Sequence, residues 1–493
     1  MVVRSSVNPS LAHGISSRAR SCLSVALLIL ASCGGEPAPA PAPVAHVAIA
    51  APATRQLERG QALQLNASAL DADGQALTGR AFQWNSSNAA VAEVDAASGR
   101  VTGRGRGTVT ITASSEGQSA STDFTVVILY RSVTAGELYT CDVGSGGVAE
   151  CWGRNSLGVF GSGDETSSAS PVRVQGGHSF AMVSSSALHG CGLTPEGKAY
   201  CWGSNSVSQL GNGTRLQAMT PVAVAGGHVF TAITVGDDHS CALTGSGQAF
   251  CWGSNSFGQL GTNTTDTELD VPTAVVGGLT FKSLSAGGDV TCGITTTHAA
   301  YCWGSDVNGN LGDGGDIAYS TTALSRVPVS VAGGHSFAQI SVGRRFVCGV
   351  SVEDVGYCWG RNDVGRLGNG TEDQSAPNPI AGGLRLKQVA AGGTHGCGLA
   401  TDGKAYCWGA NNSGELGASF PSDLSRVPVE VSGGLLFSEL AVGRNSGSAH
   451  SCGVGADRLS VWCWGRNDEG QLGNGTTATT RVDAPVAVAG QRP

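Results

Sequence analysis

The chain has 493 residues, of which 75 are glycine and only 13% are charged. This length allows two or three domains with their own cores, and a chain so rich in glycine and poor in charge favours strands and turns over helices. The net charge of −8 leaves no broad basic face for phosphate backbones, so the composition excludes nucleic acid as the main partner.

Residues 1–33 have the pattern of an export signal. Three arginines precede an apolar run at 22–30, which is too short to cross a bilayer as a lasting helix. The run ends in Leu-Ala-Ser-Cys-Gly at 30–34, which resembles the lipobox of bacterial lipoproteins. The alternative is an ordinary cleaved signal that happens to hold a cysteine. The resemblance implies that Cys33 is lipidated and anchors the protein in the cell envelope, at the outer membrane or the cell surface.

Two segments follow the signal. Residues 34–43 form a Pro/Ala linker, in which 37–43 alternate proline and alanine, and this composition favours an extended chain without a core. Residues 44–127 contain short runs that alternate apolar and polar side chains between turn residues, as at 63–67 and 108–113. This period of two predicts a small β-sandwich, with Trp84 in its core.

The order of motifs in this segment resembles the bacterial Ig-like domain of group 2. The motifs are Trp-Asn-Ser-Ser-Asn at 84–88, Val-Ala-Glu-Val at 91–94 and Gly-Thr-Val-Thr-Ile at 107–111. In that family such domains serve as spacers or adhesive modules on exported proteins. The resemblance therefore implies a stalk rather than a chemistry.

Seven copies of a Cys-Trp-Gly box recur through residues 128–493. The copy at 250–261 reads Phe-Cys-Trp-Gly-Ser-Asn-Ser-Phe-Gly-Gln-Leu-Gly, and in every copy the last glycine lies nine residues after the tryptophan. A period near 50 residues with four short apolar runs is typical of a propeller blade. The tryptophans of the seven boxes are Trp152, Trp202, Trp252, Trp303, Trp359, Trp408 and Trp464.

The two ends of the repeat region do not match. The first unit lacks the Pro-Val strand that opens the later ones, while the chain finishes with Pro-Val-Ala-Val-Ala-Gly at 485–490. We therefore expect this last strand to complete the first blade and to remove open sheet edges. The predicted fold class is all-β, with an Ig-like β-sandwich followed by a seven-bladed β-propeller closed by the C-terminal strand.

The repeats resemble those of the regulator of chromosome condensation, RCC1. The resemblance rests on Val-Gly-Asp-Asp-His-Ser-Cys-Ala-Leu at 235–243 followed by the box at 252–261, and it recurs through 128–493. It implies a seven-bladed propeller. It does not imply one function, because a propeller is a scaffold on which different sites are built.

Fourteen cysteines fall into pairs, ten residues apart in six cases and eleven in the last. Between Cys191 and Cys201, Pro-Glu-Gly at 195–197 suits a type I turn, which places the two cysteines opposite each other on antiparallel strands. An exported chain meets an oxidising compartment, so we expect one disulfide per blade; zinc sites and reduced thiols are the alternatives. The pairs are Cys141–Cys151, Cys191–Cys201, Cys241–Cys251, Cys292–Cys302, Cys348–Cys358, Cys397–Cys407 and Cys452–Cys463.

Motifs for catalysis, cofactors or metals do not stand out. The segments at 192–199 and 398–405 come one residue short of a phosphate-binding loop, and alanine stands where its Ser or Thr should be. Four histidines share one repeat position, which indicates a structural hydrogen bond rather than chemistry; they are His189, His239, His395 and His450. We expect no enzyme activity, no cofactor and no metal site.

Candidate binding residues lie where the repeat departs from itself, because insertions in repeat proteins map to loops on one face. Neutral drift in exposed loops is the alternative. The candidates are Asp313, Asp316, Tyr319 and Arg326 in the longest joint, and Arg444, Asn445 and an extra Trp462 in the last blade.

These patterns predict a monomeric, non-enzymatic lipoprotein of the cell envelope, whose propeller binds a protein or glycan at the cell surface from an Ig-like stalk. A second hypothesis is guanine-nucleotide exchange, as in the eukaryotic RCC1 family, although an exported propeller would not meet a cytosolic GTPase. A third is inhibition of a secreted enzyme, which one bacterial propeller of this type performs on a β-lactamase. A fourth is an enzyme acting across the mouth of the ring, for which no residues can be named.

Overall fold

A computed structural model describes residues 40–315, 317, 322–419, 422–444 and 450–490. The predicted signal, Cys33 and most of the Pro/Ala linker lie outside these residues. The described chain is almost entirely strands and turns, and it contains no helix long and apolar enough to cross a bilayer. Its four short 3-10 helices are Ser145–Gly147, Ser156–Gly158, Ala225–Gly227 and Ala332–Gly334.

The Ig-like segment has ten strands in three small sheets. Their orders are β1-β4-β5, β3-β8-β7 and β2-β10-β9-β6, and only the pair β2–β10 is parallel. The strands are β1 (His46–Ile49), β2 (Gln56–Glu58), β3 (Ala62–Gln64), β4 (Ala67–Leu70), β5 (Ala76–Leu77), β6 (Gln83–Ser86), β7 (Ala92–Val94), β8 (Arg100–Gly103), β9 (Gly107–Ser115) and β10 (Gln118–Val127).

Trp84 lies in the core of this segment, as the alternation predicts. It is 5% exposed and packs in one cluster with Leu65 and Phe124. Gly99 lies against it with φ +75°, and a Cβ there would be 2.5 Å from the indole ring. Glycine at 99 is therefore required both by the backbone conformation and by the approach of the tryptophan.

Each Cys-Trp-Gly box belongs to one sheet of four antiparallel strands, and the described chain forms seven such sheets, or blades. In each blade the strands pair in chain order, from the centre of the ring outward. Blades 1 to 3 contain β11 (Tyr130–Ala135), β12 (Tyr139–Gly144), β13 (Ala149–Gly153), β14 (Ser168–Arg173); β15 (Met182–Ser185), β16 (His189–Leu193), β17 (Ala199–Gly203), β18 (Ala218–Ala223); and β19 (Phe230–Val235), β20 (His239–Thr244), β21 (Ala249–Ser254), β22 (Glu268–Ala274). Blades 4 and 5 contain β23 (Phe281–Gly287), β24 (Val290–Thr295), β25 (Ala300–Ser305), β26 (Leu324–Ser330); and β27 (Phe337–Val342), β28 (Phe346–Ser351), β29 (Gly356–Gly360), β30 (Gln374–Pro379). Blades 6 and 7 contain β31 (Leu386–Ala391), β32 (His395–Ala400), β33 (Ala405–Ala410), β34 (Leu424–Glu430); and β35 (Phe437–Val442), β36 (His450–Gly455), β37 (Val461–Asn467), β38 (Ala478–Ala487).

The recurring box is explained by the packing of each blade on the next. Gly261, which ends the box of blade 3, has φ +66°, and a Cβ there would lie 2.8 Å from Nε1 of Trp303 in blade 4. The same contact joins Gly473 of blade 7 to Trp152 of blade 1, whose Nε1 also donates to the Gln471 carbonyl at 3.0 Å. Blade 7 therefore meets blade 1 through the contact that joins the other blades, and the ring is closed.

The C-terminal strand does not complete the first blade, so this part of the closure prediction is wrong. Blade 1 has its own Pro-Val strand, in which Val172 pairs with Cys151. The last strand of the chain pairs inside blade 7, where Val486 lies opposite Cys463. The reason is the position of the Pro-Val strand, which is the outermost strand of the preceding blade. Units counted from the proline begin one strand too early.

The fourteen cysteines lie in the seven pairs that their spacing predicts. In each blade the two cysteines face each other on the second and third strands, as Cys241 and Cys251 do in blade 3. The Cα atoms are 4.0 to 4.1 Å apart, and the sulfurs are bonded. Each blade is therefore stapled across its central hairpin.

The four histidines at the shared repeat position are buried and join neighbouring blades. His239 Nε2 lies 2.8 Å from Oγ1 of Thr291 in the next blade, and that hydroxyl donates to the Gln259 carbonyl at 2.9 Å. Because the hydroxyl hydrogen is used, Nε2 must carry the ring proton. Burial lowers the pKa of His239 to about 3, with His189 and Arg444 adding to the shift. The pKa values of His189 and His395 are likewise lowered to about 3 by burial, so these three rings are neutral structural groups.

Candidate functional site

The ring has two faces that differ in what covers them. The turns between the first and second strands lie on the same side of the ring as the ends of the Cys-Trp-Gly boxes. In blade 3, for example, the Ser254 N–H donates to the Asp238 carbonyl at 2.9 Å. We name this side the upper face. The Ig-like domain lies against the other, lower face. There Arg106 Nη2 donates to the Leu459 carbonyl at 2.9 Å, and Arg59 lies 3.5 Å from Glu150. The upper face is thus the side of the ring turned away from the Ig-like domain.

The first strands of all seven blades line a central channel of 260 Å³. Polar side chains that line the channel form hydrogen bonds between neighbouring blades. The amide of Gln339 donates to the Val389 carbonyl and accepts from the Val389 N–H, both at 3.0 Å. Gln388 makes the same two-bond clamp on Leu440, both at 2.9 Å. These clamps extend the hydrogen bonding of one blade into the next, so their side chains are not available to a ligand.

Glu439 occupies the clamp position of blade 7, at the seam with blade 1. The backbone N–H of Val133 donates to its carboxyl group, just as a backbone N–H of the next blade donates to the glutamine in the other two clamps. The second bond of the clamp needs a donor, which a carboxyl group provides only when it is protonated. Burial raises the pKa of Glu439 to about 7, against the opposing effects of Val133 and Arg458. We therefore expect the clamp at this seam to depend on a proton on Glu439.

Arg444 crosses the channel beside the upper face. Its Nη1 donates to the carbonyls of Val235 in blade 3 and Ala286 in blade 4, both at 2.7 Å, although the residue belongs to blade 7. Burial lowers its pKa, while Asp237 and Tyr139 favour its charged form. The side chain therefore braces the ring from within.

Acidic and basic turns lie side by side on the upper face. Asp237 and Asp238 lie in the turn of blade 3, Asp289 in that of blade 4, and Arg344 and Arg345 in that of blade 5. The carboxylate of Asp237 lies 3.5 Å from Arg344. Burial raises the pKa of Asp237 to about 7, although Arg344 opposes the shift. The face thus carries charges of both signs on neighbouring blades.

A pocket of 360 Å³ lies where these turns meet; we name it the arginine pocket. Arg361 lines it and pairs with Asp363 at 2.6 Å. Arg345 also lines it, is exposed, and forms no ion pair or side-chain hydrogen bond within the described residues. Burial lowers the pKa of Arg345, and the neighbouring Arg361 and Arg344 lower it further. The pocket is lined by Phe257, Asp289, Val290, Ser305, Val307, Asn308, Asn310, Arg344, Arg345 and Arg361.

A single shortened side chain helps to open this pocket. In blade 3, Gln259 Oε1 folds back to accept from the Phe257 N–H at 2.8 Å. Blade 4 has Asn310 at the same repeat position, one methylene shorter. Asn310 is 3% exposed, and its Oδ1 has no hydrogen-bond partner among the described residues. The shorter side chain leaves both space and an unused acceptor in the wall.

The described residues contain no group of three His, Cys, Asp or Glu side chains that could hold a metal ion. The arginine pocket combines guanidinium groups, one carboxyl group and an amide oxygen. The guanidinium groups can bind an anionic group, and the carboxyl and amide oxygens can accept hydrogen bonds from donors on the same ligand.

Comparison with known proteins identifies the repeats. The family model described as "Regulator of chromosome condensation (RCC1) repeat" matches residues 196–243, 246–294, 357–399 and 460–492, and a second model of this description matches 230–259 and 386–415. The chain carries an RCC1-repeat propeller. The model described as "Intimin, immunoglobulin-like domain" matches residues 71–117. It confirms the Ig-like domain and matches the intimin type, where the motifs resembled group 2.

Solved structures agree with the RCC1 propeller in fold. Yeast RCC1 (Prp20), in a complex with Kap60, is 19% identical with a TM-score of 0.59, over 69% of this chain and 83% of that chain. Human WBSCR16 is 19% identical with a TM-score of 0.57, over 74% of this chain and 96% of that chain. At these identities the likeness shows the fold alone.

Similar curated proteins are much longer than their matching part. The E3 ubiquitin-protein ligase HERC2 of Homo sapiens is 28% identical over 206 residues, which are 41% of this chain but 4% of HERC2. The serine/threonine-protein kinase Nek8 of Danio rerio is 34% identical over 96 residues, or 20% of this chain and 13% of Nek8. The chain therefore spans only a small part of these relatives.

The RCC1 propeller does not bring the predicted binding residues together. Asp313 follows the box of blade 4, and its Oδ1 accepts from the Gly315 N–H at 3.0 Å. Arg326 is held against blade 3, where its Nη1 donates to the carbonyls of Asn255 at 3.3 Å and Thr264 at 3.2 Å. Asp316, Tyr319 and Asn445 lie outside the described residues.

Trp462 is a regular member of the repeat. It takes the position before the third-strand cysteine that Tyr200 and Tyr357 occupy in blades 2 and 5. It lines a 480 Å³ cavity at the lower face, together with Arg106 and Leu436. It therefore lies on the side of the Ig-like domain and is far from Arg444 in the ring.

Sequence reasoning missed the residues of the arginine pocket. Their turns have the same length in most blades, so they do not appear as insertions. Only the charge changes, from Asp237 and Asp238 in blade 3 to Arg344 and Arg345 in blade 5. Alignment of the seven turns on the cysteine two residues into the second strand would have shown this change of sign.

Proposed function

We propose that the protein is a non-enzymatic binding protein of the cell envelope, anchored by a lipid on Cys33, and that the upper face of its propeller binds a protein partner. One observation carries this proposal. The upper face presents charged side chains that the ring does not use, Arg345 above all, while the stalk domain lies against the lower face.

The internal use of polar groups supports a binding role over catalysis. Histidine is the commonest acid–base group in enzymes, and His239 and its equivalents are buried between blades in neutral form. The glutamines of the channel bond the next blade, and Arg444 bonds Val235 and Ala286. Charged side chains in the turns of the upper face, such as Arg345, remain accessible to a partner.

The location is supported by two features of the chain. The lipobox-like run at 30–34 implies lipidation of Cys33. Disulfides form and persist in oxidising compartments, and all seven cysteine pairs of the propeller are bonded, as Cys241–Cys251 is. An exported, stapled ring is consistent with both.

The proposal is tested by capture on intact cells that produce the protein. A membrane-impermeant crosslinker is applied to cells carrying the wild type, Arg345→Glu on the upper face, or Arg385→Glu on the lower face, where the side chain is 67% exposed. We expect one stoichiometric protein partner with the wild type and Arg385→Glu, and its loss with Arg345→Glu. Equal capture by all three variants, glycan in place of protein, or a cytosolic GTPase as partner would contradict the proposal.

A further inference from the structure

We propose that the arginine pocket binds the carboxylate side chains of an acidic protein segment. This inference rests on the proposed function for the partner being a protein, and on the pocket itself for the chemistry. Its main residues are Asp289, Asn310, Arg344, Arg345 and Arg361.

The three arginines that line the pocket differ in their acidic partners. Arg361 shares Asp363 with the buried Arg366, since both guanidinium groups bond that carboxylate. Arg344 lies 3.5 Å from Asp237 and also acts on Asp289. Arg345 has no acidic partner within the described residues. Guanidinium groups recognise carboxylates through paired N–H donors, so an incoming carboxylate would relieve the repulsion among them.

Asp289 is the acidic residue of the pocket wall. Its Oδ1 accepts from Gln259 Nε2 at 3.3 Å. Burial raises its pKa to about 6; Asp238 adds to the shift and Arg344 opposes it. At neutral pH it is therefore mostly ionised. Arg361 and Arg344 have Asp363 and Asp237 as partners, so the positive charge left for a ligand is that of Arg345.

The remaining wall favours a peptide over a free anion. Phe257, Val290 and Val307 form an apolar side, against which the aliphatic stem of an acidic side chain can pack. Asn310 Oδ1 is a buried acceptor without a partner in the described chain. A peptide supplies a backbone N–H donor for the Asp289 carboxylate, whereas phosphate and sulfate supply no apolar stem and no amide donor.

The test titrates the purified mature protein in neutral detergent by calorimetry. The probes are a blocked hexapeptide of alternating Glu and Leu, the same peptide with Gln for Glu, and inorganic phosphate. We expect the Glu peptide to bind at least tenfold more tightly than the Gln peptide and than phosphate, and to weaken as salt is added. Equal binding of the two peptides, or binding of phosphate alone, would overturn the inference.

Variants assign the binding to the pocket. Arg345→Gln combined with Arg361→Gln should weaken the Glu peptide at least tenfold, while the exposed control Arg385→Gln should leave its affinity unchanged. A thermal melt of each variant establishes that it is folded. Full peptide binding by the folded double variant would refute the site.

The two proposals fail in different ways. If partner capture needs the upper face but does not change in the double variant, the carboxylate pocket is wrong and the proposed function stands. If the Glu peptide binds through Arg345 and Arg361 but no protein partner is captured on cells, the pocket stands and the proposed function is wrong.

Discussion

Replacement of Glu439 by glutamine should stabilise the ring at alkaline pH. Gln339 and Gln388 each clamp the next blade through one donor and one acceptor. Glu439 holds the same position at the seam between blades 7 and 1 and receives the Val133 N–H. Only a protonated carboxyl group can supply the second bond, whereas a glutamine supplies it at any pH.

The magnitude follows from the pKa. Burial raises the pKa of Glu439 from 4.5 to about 7 in the folded protein. The folded state therefore holds a proton that the unfolded state releases, so this contribution is complete below pH 4.5 and is lost as pH rises through 7. Each unit of pKa difference between the folded and unfolded states corresponds to about 1.4 kcal/mol of stability. The stability lost above pH 8 is therefore roughly 3 kcal/mol, or about 2 kcal/mol after allowance for the partial exposure of the side chain.

Urea unfolding of the disulfide-intact protein at pH 5 and pH 8 measures this effect. Glu439→Gln should add about 2 kcal/mol to the free energy of unfolding at pH 8 and much less at pH 5. The reverse change at the matched position, Gln388→Glu, should lower the free energy of unfolding at pH 8. A gain from Glu439→Gln that is the same at both pH values, or absent at pH 8, would refute the proton-dependent clamp.

Three further predictions concern the histidines, the disulfides and the anchor. Burial lowers the pKa of His239 to about 3, so the unfolded state binds protons first. The melting temperature should therefore fall from pH 6.5 toward pH 3, and His239→Gln should flatten that fall, since each buried histidine contributes about 1.4 kcal/mol per pH unit; an unchanged slope would contradict this. Replacing both Cys241 and Cys251 by alanine should lower the free energy of unfolding by about 3 kcal/mol, as the chain-entropy model gives for so short a loop. Urea unfolding measures it, and no loss would show that the bond does not stabilise the blade. Cys33→Ser should move the protein from the membrane fraction to the soluble fraction; wild-type protein recovered in the cytosol would contradict the anchor.

The fold could be predicted from the sequence because the sequence repeats. Fixed spacing placed Cys191 opposite Cys201 and fixed the number of blades, because each Cys-Trp-Gly box belongs to one sheet. The start of a blade could not be read in the same way. A periodic sequence has no marked beginning, and only the pairing of Val172 with Cys151 shows that the Pro-Val strand ends a blade.

The candidate site was less accessible to sequence reasoning. The search for insertions led to Arg444, but its side chain spans the ring to Val235 and Ala286, and distances across a ring do not follow from chain order. The arginine pocket lies in turns of ordinary length. It depends on a change of charge at Arg345 and on the loss of one methylene at Asn310, and both effects become visible only when neighbouring blades are assembled.

Site-specific photo-crosslinking on intact cells shows which face of the ring binds the partner. The photoreactive residue is placed at Ser256, exposed on the upper face beside the arginine pocket, or at Val229, which is 62% exposed on the lower face. We expect a single protein partner attached at position 256 and none at position 229. Attachment of the partner at position 229 alone would contradict it.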